Sequence, residues 1–385
     1  MNPSFPNREN TDSSDTDIAN KENTDAGHAI SNVDPAALSQ RRMVLLTDGH
    51  SDPVTAKTAS CLLRFCPEEV VAVLDRQASA KTSQELLGVG GAIPVVDSLN
   101  AASNADSLVI GIAPPGGRIP GSWRPLVIEA IQRGMTIYSG LHDFLYKDEE
   151  FSREAHRSGA RLVDVRRNQE HEVSGCQGLS DSCLRIHTVG QDCGVGKMLV
   201  SVELSRALNR ANLKTKFIAT GQTGILVEGD GCPVDSVVSD FLSGAVEKMI
   251  LKHQHHDAVV VEGQGSLAHP RYSAVTLGLL HGCAPHAMIL CYEAGRETFN
   301  GLRHISLPSL RHLRSTYETM ANLRSASKVI AVAMNSRLLS DQDAERERER
   351  IRGEFDLPVC DVVRHGADDL VNAVLDFRQR QDVVT

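Results

Sequence analysis

An eight-residue loop, Gly190-Gln191-Asp192-Cys193-Gly194-Val195-Gly196-Lys197, constrains this chain more than any other feature. It follows a run, Arg185–Val189, that reads as a buried strand, and it opens an amphipathic helical pattern over Lys197–Asn209. Glycines let successive backbone N–H groups turn inward, the helix N-terminus adds partial positive charge, and the lysine reaches outer phosphates. That device needs a strand before it and a helix after it, so the surrounding chain is expected to be α/β. The standard pattern puts four residues between the first glycine and the Gly-Lys pair. Here five intervene, Gln191 to Val195. The expected phosphate cradle is Gly190, Asp192, Gly194, Val195, Gly196, Lys197 and Met198. Met198 stands where Mg²⁺-dependent loops carry Ser or Thr, and a thioether is a poor ligand for a hard cation. Phosphate binding is therefore expected, ATP or ADP included, with no requirement for Mg²⁺.

The rest of the chain alternates strands and helices on both sides of that loop. Before it, the runs Met43–Leu46, Val70–Leu74, Ile93–Val96, Leu108–Ile112, Thr136–Tyr138 and Arg161–Val165 read as strands. Helical stretches Val54–Arg64, Trp123–Arg133 and Glu149–Gly159 separate them. After it come strands Thr215–Ala219, Ala258–Val261, Met288–Cys291, Val329–Ala333 and Val359–Val363, with helices at Val234–Leu251 and Leu310–Leu323. The acid–arginine run Asp341–Arg352 reads as a solvated helix face. The expected fold class is α/β: an N-terminal Rossmann-like parallel-sheet domain (43–167) and a C-terminal P-loop NTPase-like domain (183–385). A polar linker (168–182) joins them, and a disordered acidic and polar tail (1–42) precedes both. Gly88-Val89-Gly90-Gly91 precedes a strand instead of following one, which argues against a dinucleotide fingerprint and against NAD.

Composition narrows the partners. A net charge of −9 across 385 residues argues against nucleic acid. No apolar run is long enough to span a bilayer, and nine scattered cysteines without C-x-x-C spacing suit a reducing cytoplasm better than a disulfide framework. No metal site is expected; His253, His255 and His256 read as a surface cluster at a helix end. The chemistry is expected near the loop. Glu262 ends the strand Ala258–Val261, the place for a metal-contacting carboxylate or a catalytic base. Asn335, after the strand Val329–Ala333, is placed to meet an adenine edge.

The variant loop, the Glu262-Gly263-Gln264-Gly265 strand end and Asn335 together resemble dethiobiotin synthetase and its P-loop relatives. A longer resemblance runs from about Met43 to Gly366. It is carried by Gly111-Ile112-Ala113-Pro114-Pro115-Gly116-Gly117-Arg118-Ile119-Pro120, by Ser139-Gly140-Leu141-His142-Asp143-Phe144-Leu145, and by Gly221-Gln222-Thr223-Gly224-Ile225. It continues in Glu262 to Pro270 and in Thr276 to Gly282. The combination resembles a two-domain family long known only as a conserved domain of unknown function, whose members are assigned as D-glutamate N-acetyltransferases. The resemblance implies acetyl-CoA as co-substrate, an acidic amino acid as acceptor, and a loop that holds the CoA phosphates. It makes Glu262, His269 and His281 the candidate acid/base groups, and Arg118, Arg271 and Arg296 the candidate forks for the acceptor's carboxylates. A homo-oligomer is also expected. The readings that compete are an ATP-dependent ligase of the dethiobiotin synthetase type and a non-catalytic nucleotide sensor.

Overall fold

The computed structural model describes residues 41–52, 55–114 and 116–382. The expected tail lies outside the described residues as far as residue 40. Arg41, at its end, belongs to the fold: it is buried, paired with Glu69 at 2.8 Å and bonded to the Leu226 carbonyl.

Two six-stranded sheets follow one another. The first holds β1 (Met43–Leu46), β2 (Val70–Leu74), β3 (Val95–Val96), β4 (Ser107–Ile110), β5 (Thr136–Ser139) and β6 (Leu162–Asp164) in the order β3-β2-β1-β4-β5-β6. Every paired neighbour in it is parallel. The helices are α1 (Lys57–Phe65), α2 (Ser83–Leu87), α3 (Arg124–Gln132) and α4 (Glu149–Ser158). Chain order reverses between β1 and β4, so a crevice opens at their C-terminal ends, the usual ligand position in such sheets.

The second sheet has β7 (Leu184–Gly190), β8 (Thr215–Ile218), β9 (Ala258–Val261), β10 (Ala287–Glu293), β13 (Lys328–Asn335) and β14 (Val359–Cys360). Its order is β14-β13-β10-β7-β9-β8, again all parallel. A small antiparallel hairpin, β11 (Thr298–Phe299) and β12 (Leu302–Ser306), stands apart from it. The helices are α5 (Lys197–Arg210), α6 (Gln222–Glu228), α7 (Ser239–His253), α8 (Ser273–Cys283), α9 (Leu310–Asn322), α10 (Asp341–Phe355) and α11 (Asp368–Asp382). β7, β9 and β10 are buried along their whole length, as strands covered by helices on both faces must be.

The segment 168–182 is polar, yet it is docked along α7. Glu247, buried on that helix, accepts hydrogen bonds from the Ser174 hydroxyl and from the Cys176 and Gln177 backbone N–H groups. The two sheets also share one apolar core. Leu45, Leu62 and Phe65 of the first half pack in the same cluster as Val202, Ile225 and Leu226 of the second. Polar ties reinforce it: Thr58 meets Thr223 at 3.0 Å, Arg206 donates to the Phe65 carbonyl, and Arg166 pairs with Asp235.

Candidate active site

β7 delivers the loop to the centre of the second sheet, between β9 and β10. Gly194 (φ +70°) and Gly196 (φ +106°) adopt the left-handed region that a side chain would strain. Gly196 caps α5, so Lys197 is the helix's first residue. The lysine is buried and its ammonium folds back, donating to the Asp192 carbonyl at 2.7 Å and the Gly265 carbonyl at 2.8 Å. Burial pulls its pKa down. Exchanging those carbonyls for a phosphate would restore a full counter-charge. Asn335 closes the far side, with its amide 3.4 Å from the Val195 carbonyl.

Met198 turns out to have a packing role. It lies partly buried against the core shared by the two halves, so the residue that replaces the Mg²⁺ ligand helps to dock the first sheet beside the loop.

Glu262 projects from the end of β9 and is 4 % exposed. One carboxylate oxygen accepts the N–H groups of Thr220 (2.9 Å) and Gly221 (3.1 Å); the other accepts the Gln264 amide at 3.1 Å. Burial raises its pKa to about 7, against the lowering effect of those bonds and of Lys197. A carboxyl group poised at neutrality beside a phosphate loop is equipped for proton transfer.

The other predicted residues separate into groups. His269 is fully buried between Tyr272 and Phe299. Its Nδ1 accepts the Arg271 N–H at 3.1 Å, and its Nε2 faces the Asn300 carbonyl (3.5 Å) and Asp192 (3.7 Å). Both ring nitrogens are engaged, which makes it a residue that positions the loop. His281 is not brought to the loop at all. It sits two turns along α8, whose C-terminal end lies toward the N-terminal edge of the sheet, and its Nε2 meets the Met320 carbonyl at 3.1 Å. Arg296 is committed: its two terminal nitrogens pair with Asp192 at 2.9 Å and Glu293 at 2.7 Å, both buried carboxylates. Arg271 is exposed beside the Gly301 turn, and Arg118 is exposed on the loop after β4.

Asp192, Cys193 and His269 present ligand atoms within 4.8 Å of one another, a spacing that could hold a metal ion. The Asp192 carboxylate is already taken by Arg296 and by the N–H groups of Cys193 and Asn300, so a cation there would face a guanidinium. The sequence reading missed the hairpin that supplies Phe299 and Asn300. It also missed Tyr317, buried on α9, whose hydroxyl donates to the Gly190 carbonyl at 2.9 Å and accepts from Leu267. Neither carries a motif; only the Gly301 turn hints at the hairpin.

Residues 173–371 match a family model described as a domain of unknown function, DUF1611, P-loop domain. Residues 76–168 match its N-terminal, Rossmann-like counterpart. The first match alone covers more than half of the chain. This chain belongs to the DUF1611 family. Two curated relatives, from Tritonibacter scottomollicae and a Pseudoalteromonas species, are each named D-glutamate N-acetyltransferase. The first is 36% identical over 71% of this chain and 82% of its own length; the second is 36% identical over 70% and 82%. A crystal structure of a DUF1611 protein from Anabaena variabilis superposes with a TM-score of 0.82 at 35% identity, covering 87% of this chain and 99% of that one. The family places the chain among N-acetyltransferase enzymes, and both halves of the fold agree with its two domains. Among the described residues no helix is long and apolar enough to cross a membrane.

Proposed function

We propose that this enzyme transfers the acetyl group of acetyl-CoA to the amino group of D-glutamate, with the loop 190–197 holding the CoA phosphates. The observation that carries the mechanism is Glu262, a buried carboxyl poised near pH 7 at the edge of the loop. As carboxylate it removes a proton from the acceptor's ammonium; the freed amine attacks the thioester carbonyl carbon. The C–N bond forms, the C–S bond breaks, and the CoA thiolate leaves to take up a proton. Lys197 moves from the Asp192 and Gly265 carbonyls to a phosphate. The relatives' names support the acceptor. The packing of Met198 supports a loop that binds phosphates without needing a metal-ligating hydroxyl, and so disfavours the ligase reading. Among the described residues Arg118 and Arg271 pair with no carboxylate, which leaves these two predicted forks for the acceptor.

A thiol-release assay tests this directly. Free CoA should appear from acetyl-CoA with D-glutamate, much faster than with L-glutamate, and without added Mg²⁺. Lys197→Ala should keep the fold and lose CoA affinity by about 1.5–3 kcal/mol in isothermal titration. ATP consumption with an acidic amino acid, and no thiol release, would overturn the acetyltransferase reading in favour of a ligase.

A further inference from the structure

The crevice at the C-terminal ends of β1 and β4 is the place where sheets of this kind hold a ligand. α1 leads out of this crevice and packs on α6 of the second half, where Thr58 meets Thr223. Lys57, the first residue of α1, is exposed, and no carboxylate pairs with it among the described residues. Its charge acts across the halves on the Cys193 thiol of the phosphate loop. The α1 terminus has no side-chain cap, since Ala56 occupies the capping position. Immediately before Thr223, Thr58's partner, stands a second unusual group. Gln222, the first residue of α6, is 5 % exposed, and its Oε1 is buried with no hydrogen-bond donor among the described residues. Its side chain lies flat on Gly140 at the end of β5, so close that a Cβ there would fall 1.5 Å from Oε1. An unpaired buried acceptor is costly, and a native structure retains one chiefly where a ligand or water satisfies it. The terminal torsion of a glutamine is soft, so the carboxamide can turn its oxygen into the crevice without a backbone change.

We infer that this crevice is the acceptor's seat, in which Lys57 takes a carboxylate of the amino acid while Gln222 Oε1 accepts its N–H. The two groups match the two ends of such a molecule: a cation for the anion, and an orphan acceptor for the amine. Glu262, held by the N–H of Gly221 next to Gln222, is then adjacent to the amine that it must deprotonate. The seat draws on both halves, with Lys57 and Gly140 from the first and Gln222 from the second, which gives the Rossmann-like half a part in the reaction. This inference rests on the acetyltransferase reading above.

The test is steady-state kinetics on full-length Lys57→Met, Lys57→Arg and Gln222→Leu, varying D-glutamate and acetyl-CoA separately, with calorimetric titration of each. Lys57→Met should raise the KM for D-glutamate at least tenfold and leave that for acetyl-CoA within twofold. Lys57→Arg should recover part of the loss, and Gln222→Leu should weaken D-glutamate binding without changing CoA binding. A merely structural role would move both substrates together. Unchanged D-glutamate KM in both neutral variants overturns the inference, as does a loss confined to acetyl-CoA, which would assign Lys57 to the CoA phosphates. If the wild-type protein releases no thiol, the acetyltransferase reading fails by itself. Titration with D-glutamate then decides the seat separately: binding lost in Lys57→Met sustains it, and no binding to the wild type overturns it.

Discussion

Glu262 is the base proposed above, and its environment makes a double prediction. Its pKa of about 7 lies well above that of an unfolded glutamate, so the native state holds a proton that the unfolded chain has released. Wherever the native state binds more protons, stability falls as pH rises, here between about 4.5 and about 7. Glu262→Gln has no such titration. Denaturant melts across that window should show the variant gaining on wild type, by on the order of 3 kcal/mol, with no further change above it. Over the same range wild-type kcat/KM should rise as the carboxylate forms, and the variant should lose about 10²–10⁴-fold with a flattened profile. An unaltered pH profile in Glu262→Gln would exclude it as the base. Met198 teaches the complementary lesson. Its identity in the sequence said what it cannot ligate, while its packing against the first half became visible only in three dimensions.

Among the elements, the phosphate loop is rigid because neighbours from outside its own motif hold it. Asp192 turns inward to Arg296 and to the Asn300 N–H, while Tyr317 ties Gly190 to Leu267. Removing the guanidinium would leave Asp192 and Glu293 buried without their main counter-charge, a loss on the order of 3–5 kcal/mol. Arg296→Met should show that cost in urea unfolding and weaken CoA binding, whereas exposed Arg271→Met should stay within about 0.5 kcal/mol of wild type. Equal stability of the two variants would refute this account of the loop. Such ties explain what the sequence could and could not convey. Strands β1, β2, β9 and β10 were legible because strands buried on both faces are unbroken β-branched and apolar runs. α8 was missed because it is apolar over nearly its whole length and presents no clear helical period. The β11–β12 hairpin was missed because β11 has two residues and β12 is largely exposed. The positions of Glu262 and Asn335 beside the loop were legible because each stands at the end of a recognisable strand. His281 was drawn in by a motif whose helix carries it away from the site, which sequence spacing alone does not reveal.

At the scale of the molecule, the shared core makes the two halves depend on each other. Leu45, Leu62 and Phe65 share one buried cluster with Ile225 and Leu226, and at about 25 cal/mol per Å² either half alone would lose stability by exposing its part of that surface to water. The interlocking bonds of Arg41 to Leu226, Arg206 to Phe65 and Arg166 to Asp235 run in both directions across it. Unfolding is therefore expected to be one cooperative event, and the chain provides a local reporter of it. Its single tryptophan, Trp123, is fully buried in the first half and donates to the Asp48 carbonyl. Leu208, fully buried in the second half's own core, is the residue to perturb. Leu208→Ala should cost about 2–5 kcal/mol. If the halves unfold together, Trp123 fluorescence and far-UV circular dichroism should report the same lowered midpoint, although the substitution touches nothing near the indole. A tryptophan transition that keeps its wild-type midpoint, with the dichroism splitting into two steps, would mean that the halves fold separately. The crevice between them could then be no better ordered than a contact of two independent domains, and a seat built jointly from Lys57, Gly140 and Gln222 would lose its footing.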